Sequence, residues 1–344
     1  MNRPELDQFS TRHRLNAAAT GAALELSGNR PDPAEWRAFA AASLHAAGLG
    51  ALGAGVIFFV AANWQAWGLL GRFALLQSGL LLCIAAALWR PPPQRLGQCA
   101  LLLATLATGG QLALFGQSYQ TGADVYELFF TWAVLTLPFA LAALSGAVWA
   151  TWFGVLNVGL ALVCGTLGLD HFFWRVVDGW GWGRSALLML PCLANLLAAA
   201  LFLMLGRTRF SDAAPAWLPR LLLTLGIAYG TAAALPIVSG SVWGSARAAA
   251  TGQGTAVLTL YTAISLAIGV ATWLRRRDVF PLTLLAGSWI TISTAWLAHA
   301  IQLRDVGEFF LIAIWLIGSS TTAGFVLMRW LRQWRATPTE GVPA

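Results

Sequence analysis

The sequence predicts an all-α membrane protein of about ten transmembrane helices, both termini cytoplasmic, with a short helical segment ahead of the first span. Three observations carry this: composition, the length of the charge-free stretches, and the placement of arginine. The chain is 58% hydrophobic and 10% charged, whereas a soluble domain is about 45–50% apolar and about 25% charged. A water-facing surface cannot be assembled from so few ionic groups. All 21 basic residues are arginine, which, with the wealth of Ala, Leu, Gly and Trp, reads as coding bias in a GC-rich bacterium rather than as chemistry.

The first forty-five residues are polar and suggest two cytoplasmic helices, over 6–26 and 33–46. The stretch 28–33 separates them, and Asp32-Pro33 followed by Glu35 and Trp36 makes a sound helix start. No apolar region near the start resembles a cleavable signal, so the first hydrophobic helix is expected to act as an uncleaved signal-anchor. Charge-free stretches follow at 46–71, 73–89, 96–123, 128–169, 185–206, 221–246, 248–274, 279–303 and 309–328. A span needs about 20 apolar residues, and a charge at its centre is costly. The fourth stretch has 42 residues, about 63 Å as one helix, twice what one hydrocarbon core holds. It should fold as two helices turning near Ser145-Gly146, which brings the count to ten. The tail beyond Arg335 has Pro and Gly without periodicity and is expected to be disordered.

Arginine tests this count independently. With the N-terminus inside, sixteen arginines fall on the cytoplasmic side and five (Arg72, Arg175, Arg184, Arg247 and Arg304) outside, as the positive-inside rule demands. A single crossing by 128–169 would put every later cluster on the wrong side. Tryptophan agrees: Trp64, Trp67, Trp174, Trp180, Trp182 and Trp243 lie at exterior ends, and Trp89, Trp273, Trp330 and Trp334 at cytoplasmic ends, where indoles anchor at the interface. The expected organisation is a leader (1–45), a five-helix segment (46–169), an exterior Trp/Gly-rich loop (170–184), a second five-helix segment (185–330) and a tail (331–344), in a bacterial inner membrane. A weak internal repeat also suggests itself. Asp124–Glu127 and Asp305–Glu308 each precede a Phe-rich span, and Leu82–Arg90 resembles Leu266–Arg275. A spacing of six spans would make spans one to four and seven to ten a parallel pair.

Several function classes fall away. The net charge of +7 needs no nucleic acid to explain it, because topology already demands arginine on one side. Cys83, Cys99, Cys164 and Cys192 form no CxxC pair, and no histidine pair has metal-ligand spacing, so neither a disulfide framework nor a metal site is expected. Cofactors and catalytic residues are likewise not expected. The Gly179–Gly183 stretch lacks a following Walker lysine, and no GxSxG, HExxH or buried mid-span carboxylate pair occurs.

Polar residues gather between spans three and four: Gln111, then Gln117, Tyr119, Gln120, Asp124, Tyr126 and Glu127. Asn63 and Trp64, at the exterior end of span one, should lie at the same depth. One reading is a polar pocket open to the periplasm, with Asp124 and Glu127 binding a cation or exchanging a proton. The other is a helix start, with Asp124 as cap and Glu127 three residues on completing a capping box. Gln111 lies deeper, where an amide normally bonds across to a neighbouring helix. Gln77, Asn157 and Asn195 read as interhelical glue, and His299 with Gln302 and Arg304 as an interfacial cluster.

Two stretches carry a resemblance. Gly50–Trp67 (GALGAGVIFFVAANWQAW) followed by Arg72-Phe73-Ala74-Leu75, and Phe115–Pro138 with its Gly-Gln-x-Tyr-Gln core and Leu-Phe-x-x-Trp helix, are similar to the bacterial membrane family known as domain of unknown function 2157. The likeness covers roughly residues 1–165. It implies a polytopic inner-membrane protein without established activity, and it raises the weight of Asn63, Trp64, Gln117, Tyr119, Gln120, Asp124 and Trp132. Transport of a small solute or ion through the bilayer is the leading expectation. A non-transporting envelope sensor or scaffold, whose leader contacts a partner, comes second, and an enzyme on lipid-linked substrates with Asp124 or Glu127 as base comes last.

Overall fold

A computed structural model describes residues 9–26, 33–119, 124–165, 184–206, 215–239, 252–276, 278–301 and 306–336. These residues are helical with short connections, and no strand occurs among them. The chain divides into two compact units, Met1–Arg72 and Phe73–Ala344.

The first unit holds α1 (Ala17–Leu26) and α2 (Pro33–Asn63). The amide of Ala19 donates to Asn16 Oδ1 at 2.7 Å, which caps the start of α1. Helix α2 is one uninterrupted helix of 31 residues, about 46 Å at 1.5 Å per residue. The leader helix expected at 33–46 and the first span are therefore continuous, and the span ends at Asn63 rather than near Gly71. Nothing between Pro33 and Asn63 breaks the helix: the residues change from polar to apolar while the helical backbone continues.

The second unit starts within α3 (Leu69–Trp89) and continues through α4 (Arg95–Tyr119), α5 (Val125–Ala143), α6 (Gly146–Val163), α7 (Met189–Leu205), α8 (Trp217–Val238), α9 (Gln253–Ala271), α10 (Val279–Ile301) and α11 (Val306–Ala336). A single turn, Arg184–Leu187, precedes α7, and a π-helical turn, Thr272–Arg276, extends α9. Among the described residues nine helices are long and apolar enough to span a bilayer; the expected tenth span is the charge-free C-terminal part of α2. The long stretch does break as its length requires: Leu144 takes a left-handed backbone (φ 47°) and Ser145 an extended one, separating α5 from α6.

Contacts between helix ends reveal which connections share a side. Gln98 Nε2 donates to the Leu144 carbonyl at 3.2 Å, Gly146 packs on Pro215 and Trp217, Arg220 pairs with Asp278 at 3.3 Å, and Trp273 meets Trp330 and Trp334. These segments lie at one end of the unit, and they are the ones the alternation of ten crossings assigns to one side.

Three apolar clusters hold the unit together. The first joins α3–α6 through Ala87, Ala100, Leu101, Ala140, Ala143 and Val148; the second joins α6–α8 through Phe153, Ala199, Phe202, Leu218 and Leu222; the third is built from α7–α10 around Cys192, Ala233, Ala234, Tyr261 and Ile292. Alanine supplies four of the six residues of the first cluster, because lipid tails are as apolar as leucine and helices there associate by close backbone approach rather than by hydrophobic drive. Large apolar side chains such as Val134, Leu141, Leu197, Leu201, Ile314 and Ile317 face outward, the inverse of a water-soluble surface. Of the expected repeat, Asp305 lies outside the described residues, and the two matching helix ends differ: Trp89 closes an α-helix while Trp273 sits in the π-helical turn.

Candidate functional site

Helices α4 and α5 position the polar residues singled out in the sequence. Trp132 on α5 lays its indole against Gly109 of α4, where any Cβ would collide with the ring. The missing Cβ also uncovers the carbonyl one turn back, and Trp132 Nε1 donates to Thr105 O at 2.7 Å. The next pair repeats the device, with Trp152 Nε1 of α6 on Ala133 O of α5 at 2.7 Å. These two indoles pin three consecutive helices, and they leave Gln111 half a turn beyond Gly109.

Gln111 does not form the interhelical bond expected of it: its Nε2 is buried and has no acceptor among the described residues. The neighbouring candidates are more open. Gln117 and Glu127 are exposed, Asp124 is half-buried, and Tyr119 is exposed, its ring tilted over Phe115 (centroids 4.9 Å) and beside Phe73 (6.3 Å). Gln120 lies outside the described residues. Asp124 occupies the N-cap position of α5 with an extended backbone, yet its carboxylate makes no capping hydrogen bond; the Glu127 amide bonds to the Asp124 backbone carbonyl instead (3.0 Å). The capping box therefore does not form: the backbone closes the first turn by itself.

In the first unit, Asn63 Nδ2 donates to Phe59 O of its own helix at 2.8 Å. Trp64 belongs to a turn that Arg72 locks: the guanidinium lies over the indole (5.2 Å), Nε reaches the carbonyls of Trp64 and Trp67 (3.0 Å each), and an NH2 group reaches Gln65 Oε1 at 3.4 Å. The turn's backbone and Trp64 ring thus satisfy this arginine, which sequence reasoning placed as a bare exterior charge. Gln77 is exposed and makes no interhelical bond among the described residues. His299 is exposed at the end of α10, and Gln302 and Arg304 lie outside the described residues.

Asn157 and Asn195, 38 residues apart, do act as glue, and they act on each other. Asn195 Nδ2 donates to Asn157 Oδ1 (2.7 Å), and Asn157 Nδ2 returns the bond to Asn195 Oδ1 (3.1 Å). Each spare amide hydrogen goes to a carbonyl four residues back, Phe153 O and Pro191 O. Tyr229 of α8 closes the group by donating to Asn157 O at 3.2 Å. Every donor of this amide pair is used, as burial requires.

A second polar group lies where α8, α9 and α10 meet, and nothing in the sequence reading singled it out. Tyr261 is 1% exposed; a Cβ at Gly230 would collide with its ring, and Trp289 stacks on the other side (6.0 Å, 25°). Its hydroxyl lies 2.6 Å from Ser288 Oγ, which lies 2.7 Å from Thr231 Oγ1, and Thr231 donates to Ile227 O at 2.7 Å. The Tyr261 hydroxyl also lies 3.3 Å from Thr231 Oγ1 and within donating reach of Ile227 O at 3.4 Å, so the three hydroxyls and this carbonyl form one closed network. Ser265, one turn along α9 from Tyr261, is 6% exposed and its Oγ has no partner among the described residues. Thr105, Thr108, Thr136 and Thr272 are also buried, and each returns its hydroxyl hydrogen to the carbonyl four residues back. Ser265 does not. Gly269 packing on Leu285 sets the antiparallel register of α9 and α10, so Ser265 stands level with the Ser288–Trp289 turn.

The buried polar side chains are all neutral: Thr105, Thr108, Thr136, Asn157, Ser185, Asn195, Ser265, Thr272 and Ser288 among the described residues. No group of three His, Cys, Asp or Glu side chains among them could hold a metal ion, and all four cysteines are free thiols. What these buried groups can do chemically is donate and accept hydrogen bonds.

Fold and interior together define a polytopic all-α membrane protein. The family described as "Predicted membrane protein (DUF2157)" matches residues 7–149, which covers the leader, the Arg72 turn and the Trp132 hairpin and ends just inside α6. No curated protein matches the chain, and no solved structure does.

Proposed function

We propose that this protein is a permease for a small, neutral, polar solute, set in the inner membrane with both termini in the cytoplasm and its polar mouth toward the periplasm. One observation carries the reading: two buried polar groups within the spans, Gln111 Nε2 and Ser265 Oγ, lack partners among the described residues. An unsatisfied buried donor costs about 1–3 kcal/mol, and a ligand that accepts a hydrogen bond there removes the cost. The absence of charged side chains from the described buried set favours solutes recognised by amide and hydroxyl groups over ions. Gln117, Tyr119, Asp124 and Glu127 then line the approach. The arginine asymmetry supports the orientation.

The test is solute entry into proteoliposomes, followed by light scattering with a panel of polyols, amides and sugars. At least one solute should enter faster than into protein-free vesicles, and Ser265→Ala or Gln111→Leu should slow it while the protein stays folded. Entry indistinguishable from protein-free vesicles across the panel contradicts the permease reading. A reporter fused after Ser145 checks the orientation, with cytoplasmic signal expected.

A sensor is favoured by a different observation, the continuity of α2. A helix of 31 residues joins the leader rigidly to the first span, so a displacement of one end reaches the other. Inserting two glycines after Ser43 would uncouple a sensor and leave solute entry untouched.

A further inference from the structure

Helices α8, α9 and α10 pack on one another around Tyr261, whose hydroxyl meets Thr231 of α8 and Ser288 of α10. The unpartnered Ser265 belongs to the same face of α9, one turn farther along. Helices α8 and α10 are tied a second time, at the ends where both begin. An NH2 group of Arg220 reaches Asp278 Oδ2 at 3.3 Å, and the guanidinium lies over the Phe280 ring (5.4 Å). Asp278 Oδ1 meanwhile accepts the Phe280 amide at 3.0 Å, which caps the start of α10. One oxygen of this carboxylate fixes its own helix and the other holds the neighbour. The tie stands ten residues from Ser288 and eleven from Thr231, about 15 Å toward the end that the proposed function places in the cytoplasm. Helix α9 runs past Ser265 to the same end.

The two ties differ in kind. Tyr261 and Ser288 are buried, whereas the Arg220 and Asp278 side chains are 53% and 35% exposed. Water competes for both ions, so a pair this open favours its closed form by a factor of about five at most. It therefore breaks and re-forms readily while the hydroxyl network stays made. We infer that the Arg220–Asp278 pair is a latch on the cytoplasmic side of the solute site. Closed, it holds the inner ends of α8 and α10 together and shuts Ser265 off from that side; open, it lets a solute leave there. The inference rests on the reading of Ser265 as a solute contact, and its test needs no solute.

The experiment labels full-length Ser265→Cys protein with a membrane-impermeant maleimide, added to the cytoplasmic face of inside-out vesicles. Protein without that substitution gives the background from Cys83, Cys99, Cys164 and Cys192. Labelling should be slow while the latch is intact. Adding Asp278→Asn, which keeps the cap bond, or Arg220→Gln should speed it about fivefold. Both together should do no more than either alone, because they remove one interaction. Arg220→Lys keeps the charge and should label as slowly as the latch-intact protein. Salt at about 1 M should speed labelling of the latch-intact protein and leave Asp278→Asn unchanged. An unchanged rate in Asp278→Asn, or Arg220→Lys as fast as Arg220→Gln, overturns the latch. Such a result leaves the permease reading to the solute-entry assay, and a failure of solute entry leaves this readout intact.

Discussion

Two sets of helix contacts, those within α4–α6 and those running from α6 through α10, solve the same problem, association within an apolar solvent, in two ways. In the first an indole on α5 and one on α6 each donate to a backbone carbonyl of the helix before, Trp132 to Thr105 O and Trp152 to Ala133 O. The accepting carbonyl is one a helix already satisfies, so the bond adds to a complete ladder. In the second, side chains bond to side chains: Asn157 with Asn195, and Tyr261 with Ser288 and Thr231. Here each group depends on its partner. The difference teaches where the chain is brittle. Removing an indole loses one bond, whereas removing one member of a reciprocal pair leaves the other buried and unsatisfied.

The largest effect should come from Gly230→Ala. Its Cβ cannot fit beside the buried Tyr261 ring, so the ring must move and the hydroxyl chain with it; about 3 kcal/mol of stability should be lost, at the upper end for overpacking, in an SDS unfolding titration. Asn157→Leu should cost about 2 kcal/mol, because Asn195 is left unpaired. Adding Asn195→Leu should recover part of that loss, a non-additivity that a double-mutant cycle detects. Equal, additive losses would mean that the two amides contribute independently. Trp132→Phe should cost about 1 kcal/mol, one hydrogen bond with no orphan left behind; a larger loss than Asn157→Leu would break the comparison. Asp124→Asn should change stability by less than about 0.5 kcal/mol, because the carboxylate makes no capping bond. If the same variant slows solute entry at normal protein level, the charge at the mouth acts on the solute.

Length and charge made most of the fold legible. A charge-free stretch too long for one crossing forced a turn, and the turn lies at Leu144 and Ser145 as its length demanded. The continuity of α2 was not legible, because a change in polarity changes the solvent around a helix and not its hydrogen bonding. Of the site, Asn157 and Asn195 announced themselves as amides at membrane depth, but their pairing depends on the register of α6 against α7, which no local pattern encodes. Ser265 was hidden for a different reason. Serine in a span ordinarily satisfies itself on its own helix, so only the geometry shows that this one does not. Its one trace in the sequence is Tyr261 four residues earlier, which places two hydroxyls on one helical face. Arg72 reads as an exterior charge until the folded turn supplies two carbonyls and an indole around it.

The most direct measurement is a melting-temperature series on the purified protein in lipid nanodiscs with a panel of small neutral polar solutes, run on wild type, Ser265→Ala and Gln111→Leu. The account predicts that at least one solute stabilises the wild type, and that either variant melts no lower than wild type without solute but loses the solute-dependent rise. If no solute shifts the wild type, or if the rise persists undiminished in both variants, these buried groups do not serve a solute and the permease reading is contradicted.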